Sequence, residues 1–189
     1  MPEFIADTDG TVAGKEWDDL SPFVQGYLEC VLFTNVASGV SMVEWDDPEV
    51  QSDLREGCLD GDLPGDSGFG DIYPKSLETA IAECEEFQRE AADLLAQAYG
   101  HTFPARTIGD GTLPDSHRPA YDYDEKCAGR DFWYTRCGHG VGFWDRDLPG
   151  DIGDKLTEIA EKFGNRDASF GAAASGAESP TGYGWVFIE

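Results

Sequence analysis

Between Leu20 and Asn35, apolar side chains return every three or four positions: Leu20, Phe23, Val24, Tyr27, Leu28 and Val31. That spacing predicts an amphipathic helix, with Ser21 as N-cap and Pro22 at the first helical position, where a missing N–H is tolerated. A longer stripe runs from Ser76 through Leu77, Ile81, Cys84, Phe87, Ala91, Leu94, Leu95 and Ala98, and Gly100 stands where such a helix ends. Residues 37–75 lie between the two, carrying ten acids and two bases among many Gly and Pro, and read as an irregular surface arm.

Further along, the period changes. DFWYTR alternates like a strand, CGHG supplies a turn and VGFWD a returning strand, so residues 131–147 predict a β-hairpin. Asp151 or Gly150 can cap a helix carrying Ile152, Leu156, Ile159 and Phe163, closed by Gly164; DASFGAAA and YGWVFIE then predict a second hairpin. The expected class is α+β, with helices packed on a small antiparallel sheet made of two C-terminal β-hairpins. Residues 1–189 are expected to form one domain, with the acidic arm at about 37–75 and a helix-plus-hairpin half at about 121–189. Trp144 and Phe132 are expected to pack between that sheet and the Leu156 and Ile159 face of the last helix.

Charge alters this picture more than composition does. Thirty-eight Asp and Glu face 13 Lys and Arg, a net charge of −25, and residues 1–75 alone hold 17 acids against three bases. Such a field repels nucleic acid and anionic membranes and attracts cationic surfaces. No run reaches the length a membrane span needs, the N-terminus lacks the pattern of a secretory signal, and Cys30, Cys58, Cys84, Cys127 and Cys137 include no CxxC. These features predict reduced thiols and a cytoplasmic setting.

Several motifs invite chemistry. DTDGT at 7–11 matches the first motif of haloacid-dehalogenase-type phosphatases. The resemblance makes Asp7 a nucleophile and Asp9 an acid/base, with Thr34, Lys75, Asp110 and Asp115 as later motifs around Mg²⁺. That fold needs a parallel sheet with each motif at a strand end, and Thr34 ends a predicted helix. Asp60, Asp62, Asp66 and Asp71, with Gly65, echo the spacing of a calcium loop, but Pro64 takes a ligand position. Cys127, Cys137, His117 and His139 fit no zinc ribbon or finger, and Cys137 beside His139 lacks the separation usual for a catalytic pair. Neither a cofactor nor a metal is expected.

The segment AGRDFWYTRCGHGVGFWDRD and the DIGDKLTEIAEKFG helix resemble a group of small proteins encoded by tailed bacteriophages, and the resemblance takes in the helices FVQGYLECVLFTN and ETAIAECEEFQREAADLLAQA in the same order. This chain has Arg130 where a histidine is common there and Cys137 where an asparagine is common. The resemblance implies phage origin and a place in the host cytoplasm. Joined to the charge, it leads to an acidic accessory protein, more a binder than an enzyme, that inhibits a basic nucleic-acid-binding host protein by DNA mimicry. B-DNA carries one charge per about 1.7 Å of axis, so 25 excess carboxylates match about a dozen base pairs. The expected partner-binding residues are Asp46, Asp47, Asp53, Glu56, Asp60 and Asp62 on the arm, with Trp133, Arg136 and His139 on an exposed hairpin face. The alternatives are the Mg²⁺-dependent phosphohydrolase and a non-catalytic domain whose acids serve solubility or high salt.

Overall fold

The computed structural model describes residues 7–37, 40–56, 62–107 and 117–189. Helix α1 (Pro22–Thr34) begins as its sequence predicts, with the Val24 N–H donating to Ser21 Oγ at 3.4 Å. The acidic segment is more ordered than its composition suggests. A two-residue strand β1 (Val36–Ala37) pairs in parallel with β2 (Leu63–Pro64), and helix α2 (Pro48–Glu56) lies between them. Met42 and Trp45 are buried, and the Trp45 ring meets Phe170 edge to face at 5.8 Å. Apolar side chains in the arm thus fasten it to the body while Glu44, Asp46, Asp47, Glu49, Asp62 and Asp66 stay exposed.

The long apolar stripe forms α3 (Pro74–Glu90) and, after a break at Ala91, α4 (Ala92–Ala98). Gly100 follows at φ +78°, a left-handed position that glycine adopts without strain. Two short antiparallel ladders come next: β3 (Thr102–Phe103) with β6 (Tyr121–Asp122), and β4 (Arg106–Thr107) with β5 (His117–Arg118).

The predicted hairpin at 131–147 is absent. Its first limb belongs to helix α5 (Glu125–Arg136), capped by Asp124, whose Oδ1 accepts the Cys127 N–H at 2.7 Å. Its second limb is a 3₁₀ turn over Phe143–Asp145. Aromatic and β-branched residues favour strands only weakly against tertiary context, and here the decisive context is α1. A Cβ on Gly129 would sit 1.9 Å from the Phe23 carbonyl oxygen, and one on Gly26 would sit 2.1 Å from that of Lys126. The two helix backbones therefore touch where neither has a side chain. Phe132 and Trp133 pack beside this contact against Tyr27, at 5.7 and 5.2 Å between ring centroids.

The C-terminal prediction holds better. Helix α6 (Ile152–Ala160) runs into a 3₁₀ turn that ends at Gly164 (φ +70°), and β7 (Ala168–Gly171) pairs antiparallel with β8 (Trp185–Ile188). The class is α+β, but the described strands form four separate two-stranded ladders rather than one sheet of two hairpins. The core lies between helices: Phe23, Phe87, Phe132 and Phe143 are wholly buried, with Phe87 stacked on Phe132 at 4.2 Å. Trp144 departs from expectation too. It is 49% exposed, and its neighbour Phe143 enters the core instead, because the 3₁₀ turn points successive side chains in different directions.

Candidate functional site

Helix α5 concentrates the buried charge. Arg130 donates to Glu29 Oε2 on α1 from Nε and Nη2, at 3.1 and 2.6 Å, and Lys126 pairs with the other oxygen of Glu29. Arg146 grips the wholly buried Asp131 through Nε and Nη2 at 2.6–2.9 Å, and Tyr123 Oη donates to the same carboxylate at 2.9 Å. Burial raises the Asp131 carboxyl, opposed by these donors. Arg136 donates to Glu83 at 2.7 Å, to Tyr27 Oη, and to the carbonyls of Gly164 and Phe163; Arg166 shares Glu83. Burial works against the Glu83 charge, but the hydrogen bonds from Arg166 and Arg136 outweigh it and hold the carboxyl below its ordinary value. Each nitrogen of the Arg136 guanidinium has an acceptor within the protein, so the network organises structure.

These pairs set the surface field. Glu29, Glu83 and Asp131 claim Lys126, Arg130, Arg136, Arg146 and Arg166. Setting those three acids and five bases aside leaves 35 acids against eight bases, so the rest of the chain carries −27.

The expected partner-binding residues divide. Asp46, Asp47 and Asp62 are exposed and Asp53 is half-buried; Glu56 ends α2 with its side chain outside the described residues, and Asp60 lies outside them altogether. Trp133 and Arg136 are buried, 1% and 5% exposed, and Trp133 Nε1 donates to Thr34 Oγ1 at 2.9 Å, so neither belongs to an exposed face. His139 is half-buried beside the rings of Trp133 and Tyr134, and burial lowers its pKa.

The motif residues that the structure brings together are 7–11 and 68–71. Phe69 N–H donates to the Asp7 carbonyl at 2.8 Å, and Asp7 Oδ1 accepts the Asp9 N–H at 2.9 Å. A Cβ on Gly68 would lie 2.8 Å from Asp7 Cβ, and one on Gly70 would lie 2.9 Å from the Asp9 carbonyl oxygen. Two clefts flank this contact. One, of about 360 Å³, is lined by residues 8–11 with Glu16, Trp17 and Asp18. The other, of about 280 Å³, is lined by Asp7, Asp9, Gly10, Thr11, Gly68, Gly70, Asp71, Pro180 and Thr181. Among the described residues no lysine or arginine lines either. Burial raises the Asp71 carboxyl, the Gly68 N–H lowers it, and the charges of Asp7 and Asp66 raise it further. The sequence contains both segments, but nothing in its spacing joins them across some sixty residues.

The other motif positions do not converge. Thr34 Oγ1 is spent on the Cys30 carbonyl and on the Trp133 indole, Lys75 is exposed on α3, and Asp110 and Asp115 lie outside the described residues. Asp66 accepts the Met42 N–H, 24 residues away, and Asp71 the Gly68 N–H of its own turn, so each side chain serves the backbone. Among the described residues no three His, Cys, Asp or Glu side chains are grouped to hold a metal ion, and no helix is long and apolar enough to cross a membrane. Cys30, Cys84 and Cys127 are buried thiols with raised pKa values, and burial pushes Cys137 up to about 11. Comparison with protein-family models, curated proteins and solved structures found no match.

Proposed function

We propose that this protein is an acidic phage-encoded accessory protein, acting in the host cytoplasm, that binds and inhibits a basic nucleic-acid-binding host protein by presenting carboxylates where that protein accepts phosphates. The observation that carries the reading is the unequal use of charge. The fold draws five of its 13 bases onto three internal acids and leaves the remainder at −27. A surface of that sign steers cationic partners and repels nucleic acid itself. The exposed arm acids Asp46, Asp47 and Asp62 belong to a segment fixed by Met42 and Trp45, so part of their geometry is set before binding.

The test is capture of basic proteins from host lysate at low salt, with duplex DNA as competitor. Capture should fall as salt rises, because exposed charges reach only about 8 Å at physiological ionic strength. Changing Asp46, Asp47, Asp53, Glu56, Asp60 and Asp62 to Asn or Gln should slow association while sparing the melting temperature. A captured partner indifferent to both DNA and these substitutions would sink the mimicry.

The phosphohydrolase alternative rests on the clefts beside Asp7 and Asp9. Against it stand the absence, among the described residues, of any basic side chain in their walls and the commitment of Thr34 to α1 and α5. Aryl phosphate hydrolysis with Mg²⁺, lost in Asp7→Asn, would favour it; the expected result is no activity above background.

A further inference from the structure

The 280 Å³ cleft between residues 7–11 and 68–71 carries three carboxylates, those of Asp7, Asp9 and Asp71, in a wall whose surface is mostly apolar. Asp71 is 7% exposed, and among the described residues only the Gly68 N–H donates to it, at Oδ2. Among the described residues its other oxygen has no donor, and Asp71 lines the cleft. Asp7 and Asp9 are exposed at the same cleft, and Thr11 and Thr181 add hydroxyls. One position before the wall, Ser67 Oγ is buried without a hydrogen-bond partner. The scaffold is close-packed. Gly68 and Gly70 bring their backbone against Asp7 and Asp9 so tightly that a Cβ at either would collide.

A group that fills this cleft meets three carboxylates and no described basic side chain, so positive charge and hydrogen-bond donors suit it. A phosphate fails on sign. A chelated metal ion fails on geometry, since no three carboxylates converge among the described residues. A guanidinium offers five N–H donors in one plane, matches a carboxylate in bidentate fashion and tolerates partial burial better than an ammonium. Its aliphatic stem can lie along apolar surface such as Pro180, and the volume suits one side chain rather than a large ligand.

We infer that this cleft is the receptor for an arginine side chain of the basic partner, an inference that rests on the proposed function. The cleft supplies a fixed anchor, while the arm supplies diffuse attraction. An entering guanidinium gives Asp71 a donor besides Gly68 and offsets the burial, and the repulsion from Asp7 and Asp66, that raise its pKa.

The experiment has two arms on the full chain. In the first, N-acetyl-arginine amide is titrated while the backbone amides of Gly10, Thr11, Gly68 and Gly70 are followed by NMR, with the lysine and citrulline analogues and Ca²⁺ as comparisons. Saturable shifts confined to these amides are expected with arginine, weaker ones with lysine and none with citrulline. Asp71→Asn, which keeps an acceptor for Gly68, should weaken arginine binding at least tenfold, and Asp9→Asn, at an exposed position, should weaken it severalfold. Equal response to lysine, indifference to both substitutions, or saturation by Ca²⁺ instead would overturn the assignment. In the second arm, Asp71→Asn is compared with wild type in partner capture, where a loss is expected. If capture depends on the arm acids but ignores Asp71, the anchor falls and the mimicry stands. If no basic protein is captured, the mimicry falls, and the arginine titration alone decides whether the cleft takes a guanidinium.

Discussion

Phe143 and Trp144 are neighbours with opposite fates. Phe143 is wholly buried and stacks toward Phe87 at 5.5 Å, whereas Trp144 is 49% exposed. Phe143→Ala should therefore cost about 3–5 kcal/mol as a core truncation, and Trp144→Ala should stay within about 0.5 kcal/mol. Chemical denaturation of the two variants measures the difference; equal losses would mean that Trp144 is held in a contact. Gly129 is a sharper probe. Its absent Cβ permits the approach of α5 to the Phe23 carbonyl, and in Gly129→Ala the backbones must part, at an expected cost of about 3 kcal/mol or more. Both expectations come from atoms that the sequence does not locate. A hydrophobic pattern scores Phe143 and Trp144 alike, and it assigns Gly129 only a low helix propensity.

At the level of elements, α5 explains why the hairpin was expected. Periodicity reveals a helix when one face is apolar and the other wet. On α5 nine of twelve residues are buried, including Arg130, Asp131 and Arg136, so the charges fall on inward faces and the helical signal is lost. Helix α1 is nearly as buried, but its apolar residues recur at helical spacing and its Ser-Pro start is explicit, so it is readable. The Glu83 pairs that join α3 to α5 carry a pH signature. The Glu83 carboxyl lies below its ordinary value in the folded protein, so its stabilisation is complete above the unfolded value, about 4.3, and is lost as pH falls through the folded one. Glu83→Gln leaves the side chain of Arg136, 0% exposed, without its anion and should cost roughly 3 kcal/mol near neutrality. The acid limb of its stability profile should flatten correspondingly. Urea melts between pH 3 and 7 test this, and an unchanged limb would assign the acid sensitivity elsewhere. Asp71 has the opposite sign. Its raised carboxyl costs nothing below its unfolded value and costs progressively more as pH rises through the folded one, so Asp71→Asn should gain stability at neutral pH relative to wild type.

For the whole molecule, charge competes with compactness. With −25 on 189 residues, exposed like charges repel, while the buried Arg–carboxylate pairs are shielded from solvent ions. Thermal stability should rise between about 10 mM and 1 M NaCl, as the Debye length shortens from about 30 Å to about 3 Å. A melting temperature that ignores salt would show that the surface acids are spaced widely enough not to interact.

Net acidity, the positions of α1, α3 and α6 and the closing β7–β8 pair follow from the sequence alone. Each depends on local periodicity, caps and turns, or on a sum over residues that no fold can change. Three things needed the tertiary structure: the helical state of DFWYTR, the capture of four arginines by internal acids, and the meeting of residues 7–11 with 68–71 around a cleft. All three arise from contacts between residues distant in the chain, where neither propensity nor spacing carries information. The physical reason is burial, which overrides strand preference on α5, makes paired charges part of the core, and holds Asp71, 7% exposed, in the lining of a cleft.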